Sequence, residues 1–235
     1  MIQEAVDLLR RLAAAHPAAF NPNLASSLIS LSIHLSCLGH RECALNVIQE
    51  AVDLYRQLAA DCSDVSNSNL AISLNHLSGR LSDLGHCERA LEVIQEAVDL
   101  LRRLAAASPA AFNPNLASSL NSLSVHLSYL GHRERTLEAT RDAVDLYRQL
   151  AADCSDVFNP NLAMSLNNLS NRLADLGRCE RALDVIQEAV GLNRQMAADR
   201  SDVLNPNIAM SLNNLSLHLS NLGHRERIGG DSGSS

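Results

Sequence analysis

Residues Asn113–Ala152 read N-P-N-L-A-S-S-L-N-S-L-S-V-H-L-S-Y-L-G, then H-R-E-R-T-L-E-A-T-R-D-A-V-D-L-Y-R-Q-L-A-A. Apolar residues recur three and four apart on both sides of Gly131. That spacing makes one stripe on a helix, so the stretch predicts a helix, a glycine stop and a second helix. The rest of the chain is this unit again, whole or cut.

The repetition is strict. Second-helix segments begin I-Q-E-A-V at Ile2, Ile48, Ile94 and Ile186, and T-R-D-A-V at Thr140, always 46 residues apart. The glycines of L-G fall at Gly39, Gly85, Gly131, Gly177 and Gly223 with the same period. A period of 92 lies over it: His16-P-A-A-F-N-P-N returns at Ser108, and Asp61-C-S-D-V at Asp153. The array therefore reads as duplicated doublets.

In the copy before Gly39, Leu24, Leu28, Leu31, Leu35 and Leu38 form the stripe of the first helix. Ser32 lies on that stripe, where a small side chain admits a close neighbour. Gly39 suits the left-handed residue that ends a helix. Residues 16–21 read as a loop, with Asn21 as N-cap and Pro22 as first helical residue. The pairs Asn113-Pro114, Asn159-Pro160 and Asn205-Pro206 repeat that signal, and Asn67-Ser68 replaces it once. The second helix carries Ala44, Ile48, Ala51 and Tyr55 on one strip and Leu45, Val52 and Ala59 on another. Its outer face holds Glu50, Asp53, Arg56 and Gln57, with Asp53 and Arg56 in pairing register. Two apolar strips require two neighbours. A lone hairpin is therefore expected to be unstable and a stack stable.

These patterns predict an all-α, right-handed solenoid of antiparallel helix hairpins over residues 1–227. It comprises a half repeat at 1–15, whole repeats at about 22–60, 69–107, 115–151 and 161–198, and a half repeat at 206–222. Residues 228–235, Gly/Ser-rich, are expected to be a disordered tail. Both ends cut a repeat in half, so the expectation is a fragment of a longer array, or a gene model with artificial ends.

Composition narrows the class. The chain of 235 residues is 46% hydrophobic but only 3% aromatic and lacks Trp, so its core must be aliphatic. A formal net charge of −7 argues against a nucleic-acid surface. No apolar run is long enough to span a membrane, and the amphipathic start after Met1 is not a signal peptide. Six cysteines without a C-x-x-C read as reduced thiols of a cytoplasmic protein.

The combined pattern resembles the tetratricopeptide repeat. Leu28, Leu31, small Ser32, Leu35, Gly39, Ala44, Ile48 and Ala51 match that family's large, large, small, large, Gly, Ala, large and Ala. Thr136 and Thr140 depart from it in the third whole unit. Leucines replace the family's first-helix aromatics, and its terminal proline is missing. The 46-residue period and the L-N-x-L motif are similar to the kinesin-light-chain type. Fungal and bacterial signalling proteins carry similar arrays. The resemblance implies a protein-interaction scaffold, with first helices lining a concave groove that takes a partner protein or peptide.

Along the face away from the leucine stripe, one column reads Ile29, Asn75, Asn121, Asn167, Asn213. Beside it runs Ser30, His76, Ser122, Asn168, Asn214, then Ile33, Gly79, Val125, Asn171, Leu217, and finally Cys37, Asp83, Tyr129, Asp175, Asn221. Asn is a mediocre helix former, so four copies at one mid-helix position ask for a reason. An amide both donates and accepts, and a ladder of amides can bond the backbone of an extended peptide. The resemblance implies such a ladder at Asn75, Asn121, Asn167 and Asn213. Alternatively, these amides bond one another or water and were copied by duplication. The peptide reading extends to His76, Asn168, Asn214, Asn171, Asp83, Tyr129 and Asp175.

Other signals are weak. Cys37-x-x-His40-x-x-Cys43 lacks a fourth ligand, so no metal is expected. The acidic segments Asp61–Asp64 and Asp153–Asp156 hold too few ligands for calcium and read as solvated turns. His34, His126 and His218 alternate with Arg80 and Arg172 at one position, which suggests a partly exposed polar site. No nucleophile–base pair or phosphate loop is present, so neither catalysis nor a cofactor is expected. The competing functional class is a spacer or self-association array of a larger signalling protein, stacking end to end through uncapped apolar strips.

Overall fold

The computed structural model describes residues 2–60, 64–199 and 206–231, the side chains of 199, 206 and 221–231 excepted. Among the described residues there are ten helices and no strand. They fall into two compact units, 1–130 and 131–235. The first holds α1 (Ile2–Ala15), α2 (Pro17–Cys37), α3 (Arg41–Ala59), α4 (Asp64–Asp83), α5 (Cys87–Ala107) and α6 (Pro109–Tyr129). The second holds α7 (Arg133–Asp153), α8 (Ser155–Asp175), α9 (Cys179–Asp199) and α10 (Pro206–Asp231). Within each unit every helix packs on its successor, and first helices also touch one another: α2 with α4, α4 with α6, α8 with α10. This is the all-α hairpin solenoid that the repeat predicts.

The leucine stripe and both second-helix strips are buried at their centres, whereas Leu35, Leu45 and Ala59 are half-buried and Leu38, just past the end of α2, is 72% exposed. Leu28, Leu74, Leu120 and Leu166 are buried, as are Ile48, Ile94 and Ile186 with Val52, Val98 and Val190. Thr140, in the place of those isoleucines, is buried too, and its hydroxyl is satisfied by the Thr136 carbonyl at 2.7 Å. Ser32 does more than make room: its Oγ donates to the Ala44 carbonyl at 2.8 Å, tying α2 to α3.

The helix starts differ from the sequence reading. Residues 16–21 are not a loop: α2 begins at Pro17 and carries Pro22 inside it, and α6 likewise begins at Pro109 with Pro114 inside. α8 begins at Ser155, ahead of Pro160. A single residue, His16, Ser108 or Cys154, joins each such helix to the one before it. Ser108 shows how: its N–H closes α5 on the Leu104 carbonyl at 2.9 Å, and its own carbonyl accepts from Ala111 and Phe112. Pro17 and Pro109 at the first position forfeit no bond, and the alanines behind them are the best helix formers. The inner prolines only lose one hydrogen bond near a helix start, which tertiary packing overrides. Asp153–Asp156 is accordingly a helix junction and not an open turn. Asn205 and residues 61–63 lie outside the described residues.

The glycine stops are as expected at four positions. Gly39, Gly85, Gly131 and Gly177 have φ between 73° and 81°. At Gly85 the motif is complete, with His86 N–H bonded to the Leu81 carbonyl and Gly85 N–H to the Ser82 carbonyl, both at 2.9 Å. A Cβ there would meet nothing within 4 Å, so only backbone strain opposes it. Gly85→Ala should therefore cost about 1–2 kcal/mol in urea unfolding; an unchanged midpoint would show that the turn tolerates an L residue. At the fifth position α10 continues through Gly223 to Asp231, and residues 232–235 lie outside the described residues.

On the outer face Arg56 pairs with Glu96 of the next second helix at 2.8 Å and not with Asp53, which accepts from Gln49 Nε2 at 3.2 Å. Arg10–Glu50 and Arg148–Glu188 repeat the arrangement at the same 40-residue offset. Half-exposed pairs of this kind contribute about 1 kcal/mol or less each. They fix register more than they stabilise.

Candidate functional site

The first helices α2, α4 and α6 of the first unit and α8 of the second each bury one stripe against second helices and leave another face open; α10 has the same open face but leaves Leu212 and Leu219 of its stripe exposed. Two neighbouring columns of polar residues lie there, and the structure divides them. In the asparagine column Asn75 is half-buried and Asn121 is 8% exposed, Asn167 is 2% exposed, and Asn213 is exposed. Asn75 Nδ2 donates across to Ser119 Oγ on α6 at 3.0 Å. Asn167 Nδ2 donates to Ser211 Oγ on α10 and to the Ala163 carbonyl, both at 2.8 Å, while its Oδ1 accepts from Asn214 Nδ2 at 3.3 Å. These amides join one first helix to the next.

The adjacent columns are the accessible ones. His76 and Ser122 are half-buried in the first unit, Asn168, Asn171 and Asn214 in the second. Asp83, Tyr129 and Asp175 stand exposed a turn further on. Arg80 Nε lies 3.4 Å from Asp83 Oδ2, and Arg172 Nη1 lies 3.2 Å from Asp175 Oδ2. Burial, then the Arg80 charge, hold the His76 pKa below its ordinary value. The side chain of Asn221 lies outside the described residues.

The expectation of a partly exposed polar site holds at His34, which is exposed, and at half-buried Arg80 and Arg172, and fails at His126 and His218. His126 and His218 are buried, and their Nε2 atoms lie 3.3 Å from Ser78 Oγ and Ser170 Oγ, each on the neighbouring first helix. Sequence reasoning missed Ser78 and Ser170, and also Asn193, fully buried where other copies have Tyr55 and Tyr147, with Nδ2 on Ser211 Oγ at 2.9 Å. The signal was available in part: a serine follows three residues after each asparagine of the column.

Cys37, His40 and Cys43 are all exposed, and no three His, Cys, Asp or Glu side chains among the described residues are grouped to hold a metal. No described helix is long and apolar enough to cross a membrane.

The family model of the tetratricopeptide repeat matches residues 70–107 and 162–199. Each match runs from the middle of a first helix to the end of its second, which is the hairpin seen in the structure. Those two segments are tetratricopeptide repeats. A second family model, anaphase-promoting complex subunit 5, matches residues 3–63 and 111–156. Comparison with curated proteins gives no match. Among solved structures, BtubC (BKLC) from P. vanneervenii is similar over 100% of this chain and 90% of its own, with TM-score 0.76 and 17% identity. The Podosopora anserina putative kinesin light chain repeats match over 91% and 99%, with TM-score 0.66 and 16% identity. Aspartyl phosphate phosphatase F from Bacillus subtilis matches over 97% of this chain and 56% of its own, with TM-score 0.64 and 14% identity. At these identities the likeness shows the fold alone. Tetratricopeptide repeats of this type are in general protein-interaction scaffolds.

Proposed function

We propose that this tetratricopeptide-repeat chain binds a partner protein through a peptide laid on the open face of the first helices. One observation carries the reading: second helices carry most of the charge, whereas first helices keep a low-charge face on which hydrogen-bonding side chains remain partly exposed. On that face Asn75, His76, Asp83 and Tyr129 would meet the peptide in the first unit. In the second unit, taken by itself, Asn168, Asn171, Asp175, Asn213 and Asn214 would meet a peptide segment of their own. Asn121 and Asn167 support the surface from beneath. The free, exposed Cys37, Cys43 and Cys154 fit a reducing compartment such as the cytoplasm.

A random dodecapeptide display library panned on the whole protein tests this. Selected peptides should lose binding at least tenfold on Ser122→Arg or Asn168→Arg, which place a long charge on the face without touching a buried stripe. The reading fails when no peptide is selected, or when both variants bind as the wild type does.

Self-association is the second reading, and a specific observation favours it. Leu212 and Leu219 of α10 are 38% and 50% exposed, although the same stripe positions in α8, Leu166 and Leu173, are buried. A second copy covering that strip would make light-scattering mass grow with concentration in the absence of peptide. A constant monomer mass rejects it.

A further inference from the structure

Nothing inside the chain explains Gly79. It sits within α4 without the positive φ of the glycine stops, and a Cβ added there would meet no atom within 4 Å. Glycine is the poorest interior helix residue after proline. Neither backbone geometry nor packing repays the choice, so the reason is to be sought outside the chain. Close approach of another backbone is one of the few needs that only glycine meets.

Its surroundings point the same way. At the same repeat position the flanking helices carry Ile33 on α2 and Val125 on α6, 39% and 38% exposed. Tyr129, a turn beyond Val125, is 68% exposed. Side-chain bonds hold the three helices together here, Ser36 Oγ to Asp83 Oδ2 at 3.4 Å and Asn75 Nδ2 to Ser119 Oγ at 3.0 Å. α2 and α6 contain no Asp, Glu, Lys or Arg at all. Near Gly79, α4 carries only the mutually paired Arg80 and Asp83. In a protein of net charge −7 this is a nearly neutral saddle between two apolar posts.

We propose that an extended, low-charge peptide segment of a partner protein crosses α4 at Gly79, its backbone against the helix. One apolar side chain then rests on Ile33 and another on Val125 and Tyr129. The proposal rests on the open-face reading above and gives it a ligand. Packed helix axes lie roughly 8–10 Å apart, so the posts are roughly 16–20 Å apart. An extended strand rises about 3.3 Å per residue and alternates its side chains, so the two anchors are about six residues apart with polar residues between them.

The dodecapeptides selected on the whole protein are measured against wild type, Gly79→Ala, Gly79→Val, Gly191→Ala and Ser122→Arg. Gly191 is the control: a second helical glycine whose added Cβ meets open space, but on α9, where the other copies carry Asp53, Asp99 and Asp145. Both alanine variants should raise the urea midpoint. Only Gly79→Ala should also weaken peptide binding, by tenfold or more, with Gly79→Val weaker still, and the selected peptides should share paired apolar residues at about that separation. Peptides that bind Gly79→Ala as well as wild type but fail on Ser122→Arg overturn the crossing point and leave the open-face reading standing. Peptides indifferent to both variants, or a library that yields none, overturn both. A wild-type dimer that dissociates in Gly79→Ala, measured by sedimentation, gives the saddle to a second copy and overturns the proposal.

Discussion

Asn167→Ala should lower the unfolding free energy by about 3 kcal/mol, and Asn75→Ala by only about 1 kcal/mol. The two asparagines hold the same place in their repeats, and sequence alone ranks them equal. The structure separates them by what they bond. Asn167 is almost fully buried and makes three hydrogen bonds, to the Ala163 carbonyl, Ser211 Oγ and Asn214 Nδ2. Truncation removes all three bonds and leaves a void at an almost fully buried position, although Ser211 Oγ keeps its bond from Asn193 Nδ2 and half-buried Asn214 can turn to water. Asn75 is half-buried and its truncation gives up one side-chain bond, to Ser119 Oγ, where Asn167 loses three. Urea titrations followed by circular dichroism measure the difference. Equal midpoints for the two variants would mean that the buried amide does not join α8 to α10. The comparison also guards the binding experiments, because a loss of peptide on Asn167→Ala reports a loosened pair of helices before it reports a lost contact. Asn168, one residue along and half-buried, is the better probe of contact.

The hairpins were legible because their signal is local and redundant. Leucines at three- and four-residue spacing, the small Ser32 and a glycine every 46 residues specify each element several times over. The starts of α2 and α6 were not, because two prolines compete in each and the chain uses the earlier one. The asparagine column was legible as a column, and its role was not. Whether Asn167 or Asn168 turns toward the neighbouring helix depends on how repeats stack, and the deciding partner, Ser211, lies 44 residues away. Asn193 was invisible for the same reason: an isolated Asn where other copies have Tyr or Leu reads as drift until α10 is seen to supply Ser211. The alternation of His126 and His218 with Arg80 and Arg172 looked like tolerance of polarity. It separates two solutions, a buried ring bonded to a serine and a half-buried arginine paired with an aspartate three residues on.

Those two rings should make the protein acid-sensitive well above the range in which carboxylates titrate. Ser78 Oγ–H donates to the Asn75 carbonyl at 2.8 Å, so toward His126 that oxygen can only accept. Nε2 must then carry the proton, and Nδ1, buried without a partner among the described residues, is the site left to protonate. Ser170, Asn167 and His218 repeat the arrangement, with 2.9 Å for the serine bond. A second proton would place a charge and an unsatisfied N–H where nothing accepts it. Burial accordingly holds both pKa values below the ordinary 6.5, for His218 against a weaker opposing pull from Asp175. The sign follows: below about 6.5 the unfolded chain takes up protons that the folded chain refuses, so stability is complete above that pH and falls as pH drops toward the folded-state values. Each ring contributes at most about 1.4 kcal/mol per pH unit, so the pair has a limiting slope of about 2.7 kcal/mol per unit. Urea midpoints should fall between about pH 7 and pH 5, where Asp and Glu remain ionised. His126→Gln with His218→Gln keeps a donor for each serine and removes their titration, so its midpoint should fall less steeply than that of the wild type, the remaining slope coming from half-buried His76, whose pKa is also held below the ordinary value. A double variant that weakens as steeply as the wild type would acquit the rings.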